Sequence, residues 1–391
     1  MSSEYLSAKE AARMLGVSVQ TLYVYVSRKG IRSKPIRGSR KRRYWKLDID
    51  RILSGESPAP STSTPVATHS EITLISESGL FYRGQKATDL AEHATLETTA
   101  ALLWGVLEED VFGSVPPMVP AMFSRMHRLL ARESDINRAT AFLPLFEEAN
   151  PKAYDVSPLG MGRTGADVLR TIAALATGFE KPTAEPIHKL IARHIGANPV
   201  QTELIRRQLV LAADHGFQSG AVAVRALAST GVTLWGSIIA GLSVTLGCRT
   251  RLSGWGAVSR LLAEIVTSAT PTQPIIGRIR AGETVPGFHA PLYANGDPRA
   301  RALLDFCATA LAWDPAYQRL TEALKVAKSV QNLEPNFALA FLFVDSKTGL
   351  PPGRSLFHVG RCAGWIAHAI EQFRAGEPQR VLGVYKGELP S

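Results

Sequence analysis

From Ala226 to Gly247 the chain reads ALASTGVTLWGSIIAGLSVTLG, 22 residues without a charged side chain. A run of this kind has to be removed from water, and it is long enough to cross a bilayer. Two features argue for a protein interior instead. The run is rich in Gly, Ser and Thr, and it follows directly on Arg225. The expectation is a buried core helix or helix pair, and no membrane span. With 391 residues, of which 45% are hydrophobic and 20% charged, the chain is long and apolar enough to bury a large core around it.

Charge is distributed very unevenly. Residues 1–53 hold 13 Lys and Arg against 4 Asp and Glu, a net +9, whereas the other 338 residues hold 31 against 30. The basic character therefore belongs to a small N-terminal module, which points to a polyanion as its partner. Cys248, Cys307 and Cys362 are far apart and show no metal-ligand spacing, so a reduced, cytoplasmic protein without a metal site is expected. The first residues, MSSEYLSAKEAARML, contain no apolar core of a signal peptide.

The basic module carries explicit helix signals. Ser7 followed by Glu10 is a capping box for SAKEAARMLG, with Ala11, Ala12 and Leu15 on one face and Gly16 at the end. Ser18 caps a second helix, VQTLYVYVSRKG, closed by Gly30. Two short helices joined in this way make a helix-turn-helix. RGSRKRRYW then predicts a hairpin turning at Gly38-Ser39, with Arg40, Lys41, Arg42 and Arg43 on its rim, and LDIDRIL a short closing helix. Over residues 5–53 the module resembles the winged helix-turn-helix of the MerR and excisionase families. The resemblance implies duplex DNA as partner, the second helix in the major groove and the wing on phosphates. Gln20, Thr21, Tyr23, Tyr25 and Arg28 are the candidate residues on that helix, with an inward-packed position as the alternative for Tyr23 and Val26.

Residues 54–70, SGESPAPSTSTPVATHS, have the composition of a flexible linker. Beyond them, ITLISESGLFYRG predicts a short hairpin at Gly79. Amphipathic stretches such as DLAEHATLETTAALLWG, GADVLRTIAALATG and LFHVGRCAGWIAHAIEQFRAG predict helices for most of the remainder. There is no solenoid period, no GxGxxG and no P-loop.

Four stretches of this large segment resemble the citrate synthase family: GLFYRGQKATDLAEHATLETTAALLWG (79–105), LVLAADHGFQSGAVAVRALASTG (209–231), VPGFHAPLYANGDPRA (285–300) and FHVGRCAGWIAHAIEQFRAGEPQRVLGVYKG (357–387). The resemblance implies a mainly α protein, with a large all-helical two-subdomain fold over residues 71–391 behind the winged module. It further implies a homodimer and condensation of acetyl-CoA, or a related acyl-CoA, with oxaloacetate, as in the tricarboxylic acid cycle. No resident cofactor is expected; the acyl-CoA would be substrate or ligand.

Family positions that hold the oxaloacetate or citrate carboxylates fall on Arg299, Arg361 and Arg380, and His215 falls on a histidine that contacts the keto acid. Arginine suits such work because its planar fork grips a carboxylate with two hydrogen bonds and keeps its charge. The positions that do the chemistry are altered. GCRTRLSGWGA (247–257) has no histidine, with Thr250 or Arg251 in the place of the enolate-stabilising one. Asn336 stands where the carboxylate base belongs, and an amide cannot accept the proton. Counted back from Asp297-Pro298-Arg299, Ala290 holds the catalytic histidine's place and His289 lies one residue early.

The resulting expectation is a ligand-sensing regulator: a dicarboxylate or acyl-CoA pocket with degenerate chemistry, fused to a DNA-binding module. Two alternatives stand beside it. One is an active citrate or 2-methylcitrate synthase with His289 in a rearranged role. The other is a non-catalytic subunit of a heteromeric citrate synthase.

Overall fold

The structure, a computed structural model, describes residues 5–28, 31–36, 39, 41–53, 69–178, 181–247, 254–288, 290–293, 295–350 and 356–376. The described residues divide into two compact units, one ending at His69 and the other starting at Ser70. Most of the expected linker, residues 54–68, lies outside the described residues.

In the first unit, α1 (Ala8–Met14) starts at the expected capping box. Ser7 Oγ accepts the Glu10 N–H and the Glu10 carboxylate accepts the Ser7 N–H at 2.8 Å. Ser18 Oγ accepts the Thr21 N–H at 3.1 Å at the start of α2 (Val19–Arg28). The wing is β2 (Ser33–Pro35) antiparallel to β3 (Arg42–Trp45), with Lys34 opposite Arg43. A strand the sequence did not announce, β1 (Tyr5–Ser7), pairs with the other edge of β3. Of the expected turn pair, Ser39 is described and Gly38 is not. α3 (Lys46–Leu53) closes the unit, and Ala11, Ala12, Leu22, Ile31, Tyr44 and Ile49 form its core. Asp48 clamps the start of the wing by accepting from Arg32 Nε and Nη2, both at 3.0 Å, and from the Arg32 N–H at 2.8 Å.

The second unit opens with a meander, β4 (Thr73–Ser76), β5 (Gly79–Tyr82) and β6 (Gln85–Lys86), whose first hairpin turns at residues 77–78, immediately before Gly79. Helices follow. They are α4 (Ala87–His93), α5 (Leu96–Trp104), α6 (Glu108–Val111), α7 (Phe123–Leu129), α8 (Asp135–Ala149), α9 (Pro158–Thr177), α10 (Ile187–Ile195) and α11 (Pro199–Ala212). Next come α12 (Ser219–Ala228), α13 (Leu234–Thr245), α14 (Trp255–Thr267), α15 (Gln273–Arg280), α16 (Pro298–Ala310), α17 (Pro315–Gln331), α18 (Phe337–Asp345) and α19 (Leu356–Ala375). Local signals explain many of the starts. Thr95, Ser134, Ser157 and Thr233 cap α5, α8, α9 and α13 with their hydroxyls, and Asn198 with Gln201 forms a capping box on α11.

α19 is the hub of the larger subdomain and packs against α5, α9, α11, α12 and α13. α14 to α18 pack among themselves as the smaller subdomain, and α11 touches both groups through α16, α18 and α19. The uncharged run 226–247 is the end of α12, a turn, and all of α13, so it is a helix pair in the core. Among the described residues no helix is long and apolar enough to cross a membrane. One glycine of the run has a clear packing reason. A Cβ on Gly241 would come within 2.7 Å of the Trp365 indole, so the missing side chain lets α13 lie close to α19.

Candidate ligand-binding site

A cavity of about 920 Å³ is bordered by residues from α12, α14, α16, α18 and α19 and from the loops before them. Its most informative feature is backbone geometry. The N-cap residues of four helices line it: Gln218 of α12, Gly254 of α14, Asp297 of α16 and Asn336 of α18. Each helix start carries the positive end of the helix dipole, which favours an anion, although Asp297 and Asn336 already cap α16 and α18 with their own side chains. The starts of α12 and α14 have no side chain capping them.

Two buried arginines reinforce that field. Arg299, on the first turn of α16, forms a two-pronged pair with Asp297, with Nε to Oδ1 at 3.0 Å and Nη2 to Oδ2 at 2.7 Å. Its guanidinium lies 4.1 Å from the centre of the Phe337 ring. Burial works to lower the Arg299 pKa, and the Asp297 charge outweighs it and raises the pKa. Arg361, from the middle of α19, donates Nε–H to the Ala212 carbonyl at 2.8 Å and Nη1–H to Gln218 Oε1 at 3.1 Å. Burial lowers its pKa, with Asp214 opposing.

Gln218 passes this order on to His215. With Oε1 turned to Arg361, its Nε2–H faces His215 Nδ1 at 2.9 Å. The imidazole then carries its proton on Nε2 and donates it to the Tyr293 hydroxyl at 2.8 Å. The series Arg361–Gln218–His215–Tyr293 thus fixes both the orientation and the tautomer of the histidine. Burial pushes the Tyr293 hydroxyl pKa well up, so it stays a neutral phenol.

Behind this wall the turn after α11 is held rigidly. Tyr82, whose hydroxyl is pushed up to about 12 by burial, reaches the carbonyls of Val210 and Asp214, each at 3.2 Å. Asp214 is fully buried and accepts the Gly216 N–H at 2.7 Å. Burial pushes its carboxyl up, but the facing His368 imidazole and Arg361 outweigh that and hold it down at about 2. Gly364 belongs to the same construction, because a Cβ there would meet the Ala213 carbonyl and the Asp214 side chain.

Asn336 has a structural role that the sequence did not suggest. Its Oδ1 accepts the Leu339 N–H at 3.2 Å as the cap of α18, and its own N–H donates to the Gly287 carbonyl at 2.8 Å. Among the described lining residues the single carboxylate is Asp297, which is engaged by Arg299.

The cavity therefore brings together His215, Ala290, Arg299, Asn336 and Arg361 from four separate stretches of sequence. His289, Arg380, Thr250 and Arg251 lie outside the described residues. Gln218, Tyr293, Phe337 and Trp255 also line the cavity and escaped the sequence reading. Gln218 could have been found by its spacing, three residues after His215. Tyr293 sits in an irregular loop and gives no local signal.

On the first unit, α2 exposes Gln20, Tyr23 and Val24, spaced as one helical face. Gln20 is thus on the expected surface. Thr21 is half-buried, with its hydroxyl 2.8 Å from that of Ser18, and Tyr25 and Val26 pack against the core of the unit. Tyr25 is half-buried and lies about 140° around the helix from Gln20. Lys41, Arg42 and Arg43 are exposed on the wing, and Arg42 donates to Ser33 Oγ at 2.9 Å. Arg40 and the side chain of Arg28 lie outside the described residues.

A mainly helical two-subdomain fold, with four helix starts and two buried arginines around one cavity, is the class of protein the geometry defines. Comparison with known proteins supplies the family. The profile described as the citrate synthase C-terminal domain matches residues 62–382, and that of a helix-turn-helix domain matches residues 5–57. The chain belongs to the citrate synthase family and carries an N-terminal helix-turn-helix domain. It is 27% identical over 365 residues to putative citrate synthase 2 of Mycobacterium tuberculosis, covering 86% of this chain and 94% of the relative. To citrate synthase 2 of Bacillus subtilis it is 22% identical over 350 residues, covering 82% and 94%. The fold is similar to the crystal structure of citrate synthase from Pyrobaculum aerophilum, with a TM-score of 0.71 at 19% identity over 84% of this chain and 92% of that one.

Proposed function

We propose that this protein is a ligand-sensing DNA-binding regulator, in which the citrate-synthase-like domain binds a di- or tricarboxylate such as oxaloacetate or citrate, or an acyl-CoA, without condensing them. The observation that carries the reading is the contrast inside one cavity. Groups suited to holding an anion line it: four helix starts, Arg299, Arg361 and an oriented His215. The position of the base holds Asn336, with its oxygen committed to capping α18. A neutral amide cannot take the proton from an acyl methyl, and loss of a positioned base costs about 10² to 10⁴ in rate.

In this reading Arg299 and Arg361 hold carboxylates and His215 contacts the keto or hydroxyl group. Arg380 serves the site of a second subunit in a homodimer, which would also present two recognition helices to a two-half-site operator. Gln20 on α2 and Lys41, Arg42 and Arg43 on the wing contact duplex DNA.

The test combines three measurements on the full chain: calorimetric titration with citrate, oxaloacetate and acetyl-CoA, a thiol-release assay with acetyl- and propionyl-CoA plus oxaloacetate, and duplex binding at two salt concentrations. Acid binding without thiol release, together with salt-dependent DNA binding, is the expected outcome. Thiol release abolished by His215→Ala would establish the active-enzyme reading instead.

A further inference from the structure

The surface of α2 has a composition that points to particular bases. Gln20, Tyr23 and Val24 form its exposed face. Val24 is 45% exposed and Tyr23 is 54% exposed, and neither belongs to the core that Ala11, Leu22 and Ile49 build on the other side. Lys41, Arg42 and Arg43 are exposed on the wing, and the side chain of Arg28, four residues beyond Val24 on α2, lies outside the described residues. The described part of the helix face thus offers one amide, one aliphatic group and one phenol.

Two of these groups have a defined complement in the major groove. A glutamine amide pairs with adenine by donating to N7 and accepting from N6, and an aliphatic side chain packs against the 5-methyl of thymine. Gln20 and Val24 are four residues apart, hence about 6 Å along the helix, which is close to two base-pair steps at about 3.4 Å each.

We propose that the module selects duplex DNA with A·T pairs at two positions one or two steps apart, Gln20 reading an adenine and Val24 covering a thymine methyl. This rests on the DNA-binding reading given above. The wing supplies affinity that is independent of sequence, and the α2 face supplies the choice of base.

The experiment is selection of duplexes by the full-length protein from a random pool, followed by single-atom changes in the selected site. Replacing each thymine in turn by deoxyuridine removes only the methyl. At one thymine this should weaken the wild type about fourfold, the worth of one methyl group removed from water. Val24→Ala should bind the two duplexes equally. Replacing the adenine at the other selected position, the one assigned to Gln20, by 7-deazaadenine should weaken the wild type about fivefold and leave Gln20→Ala unaffected. Both side chains are exposed, so both variants should keep the wild-type circular dichroism spectrum.

Selection of G·C pairs at the contacted positions, or a site indifferent to the methyl and to N7, overturns this inference while DNA binding stands. Absence of any duplex binding by the folded protein overturns the DNA-binding reading itself.

Discussion

Arg299 and Asp297 form a buried ion pair at the start of α16, with Nη2 of the arginine 2.7 Å from Oδ2 of the aspartate and both side chains almost inaccessible to water. Asp297 also accepts the Arg299 N–H, so a single carboxylate caps the helix and neutralises the arginine. Arg299→Met should leave that carboxylate buried and unpaired and destabilise the chain by about 3 kcal/mol. Asp297→Asn combined with Arg299→Met keeps a cap oxygen and should recover most of the loss. Urea unfolding of the three proteins reads this. A double variant no more stable than Arg299→Met would rule the account out. Citrate titration of the double variant then measures the arginine's part in binding without a folding defect.

Asn336→Asp restores a carboxylate at the start of α18. Asp and Asn cap helices about equally well, so stability should change by less than about 0.5 kcal/mol. Affinity for citrate should fall about tenfold, since a negative charge now faces the bound acid. Asn336→Ala removes the cap and should cost about 1 kcal/mol. Calorimetry and urea unfolding measure the two effects, and tighter citrate binding by the Asp variant would contradict the anion-site reading.

Asp345, at the end of α18, has its carboxyl pushed up to about 7 by burial and by the nearby Asp135 charge. The folded protein then keeps a proton that the unfolded chain releases near pH 4. Between these values the folded state binds more protons, so this group's contribution to stability declines as pH rises from about 4 to about 7 and is level above. Asp345→Asn should be more stable than wild type by up to about 4 kcal/mol at pH 8, with the gap closing toward pH 4. Thermal unfolding across that range checks the sign. A gap that widens on acidification would exclude it.

Gly241→Ala places a methyl group against Trp365. Overpacking of this kind costs about 1 to 3 kcal/mol. The fluorescence of the folded protein should also change, because an indole has to move. Unaltered stability would mean that α13 and α19 are less closely packed than their geometry states.

Neutralising the wing should change DNA affinity without changing sequence preference. For Lys41→Ala, Arg42→Ala and Arg43→Ala combined, the slope of log affinity against log salt should become shallower by about 2 to 3. Loss of base selectivity with an unchanged slope would instead assign the wing to base reading.

How much of this was legible beforehand depended on how local the cause was. The capping box at Ser7 and Glu10, the Gly79 hairpin and the burial of 226–247 were all present in short windows, because caps, turns and apolar runs act over a few residues. Arg299, Arg361 and His215 were found through motifs. That Asn336 lacks a base's chemistry was readable from its side chain. That it caps α18 and ties down Gly287 was not.

The sequence by itself determined the chemistry available at each position: a basic module, an amide in place of a carboxylate, arginines at the carboxylate positions, and helices wherever their caps and apolar faces recur. Only the tertiary structure decided which of these groups act together. His215 meets Tyr293 across 78 residues and Gln218 meets Arg361 across 143. Four helix starts share one cavity because α19 draws α11, α12 and α13 around it while α14 to α18 close the other side. Similarly, Tyr23 and Tyr25 are two residues apart in the same helix, yet one is exposed and the other packed. Burial is a property of what the rest of the chain covers, and no short window of sequence contains it.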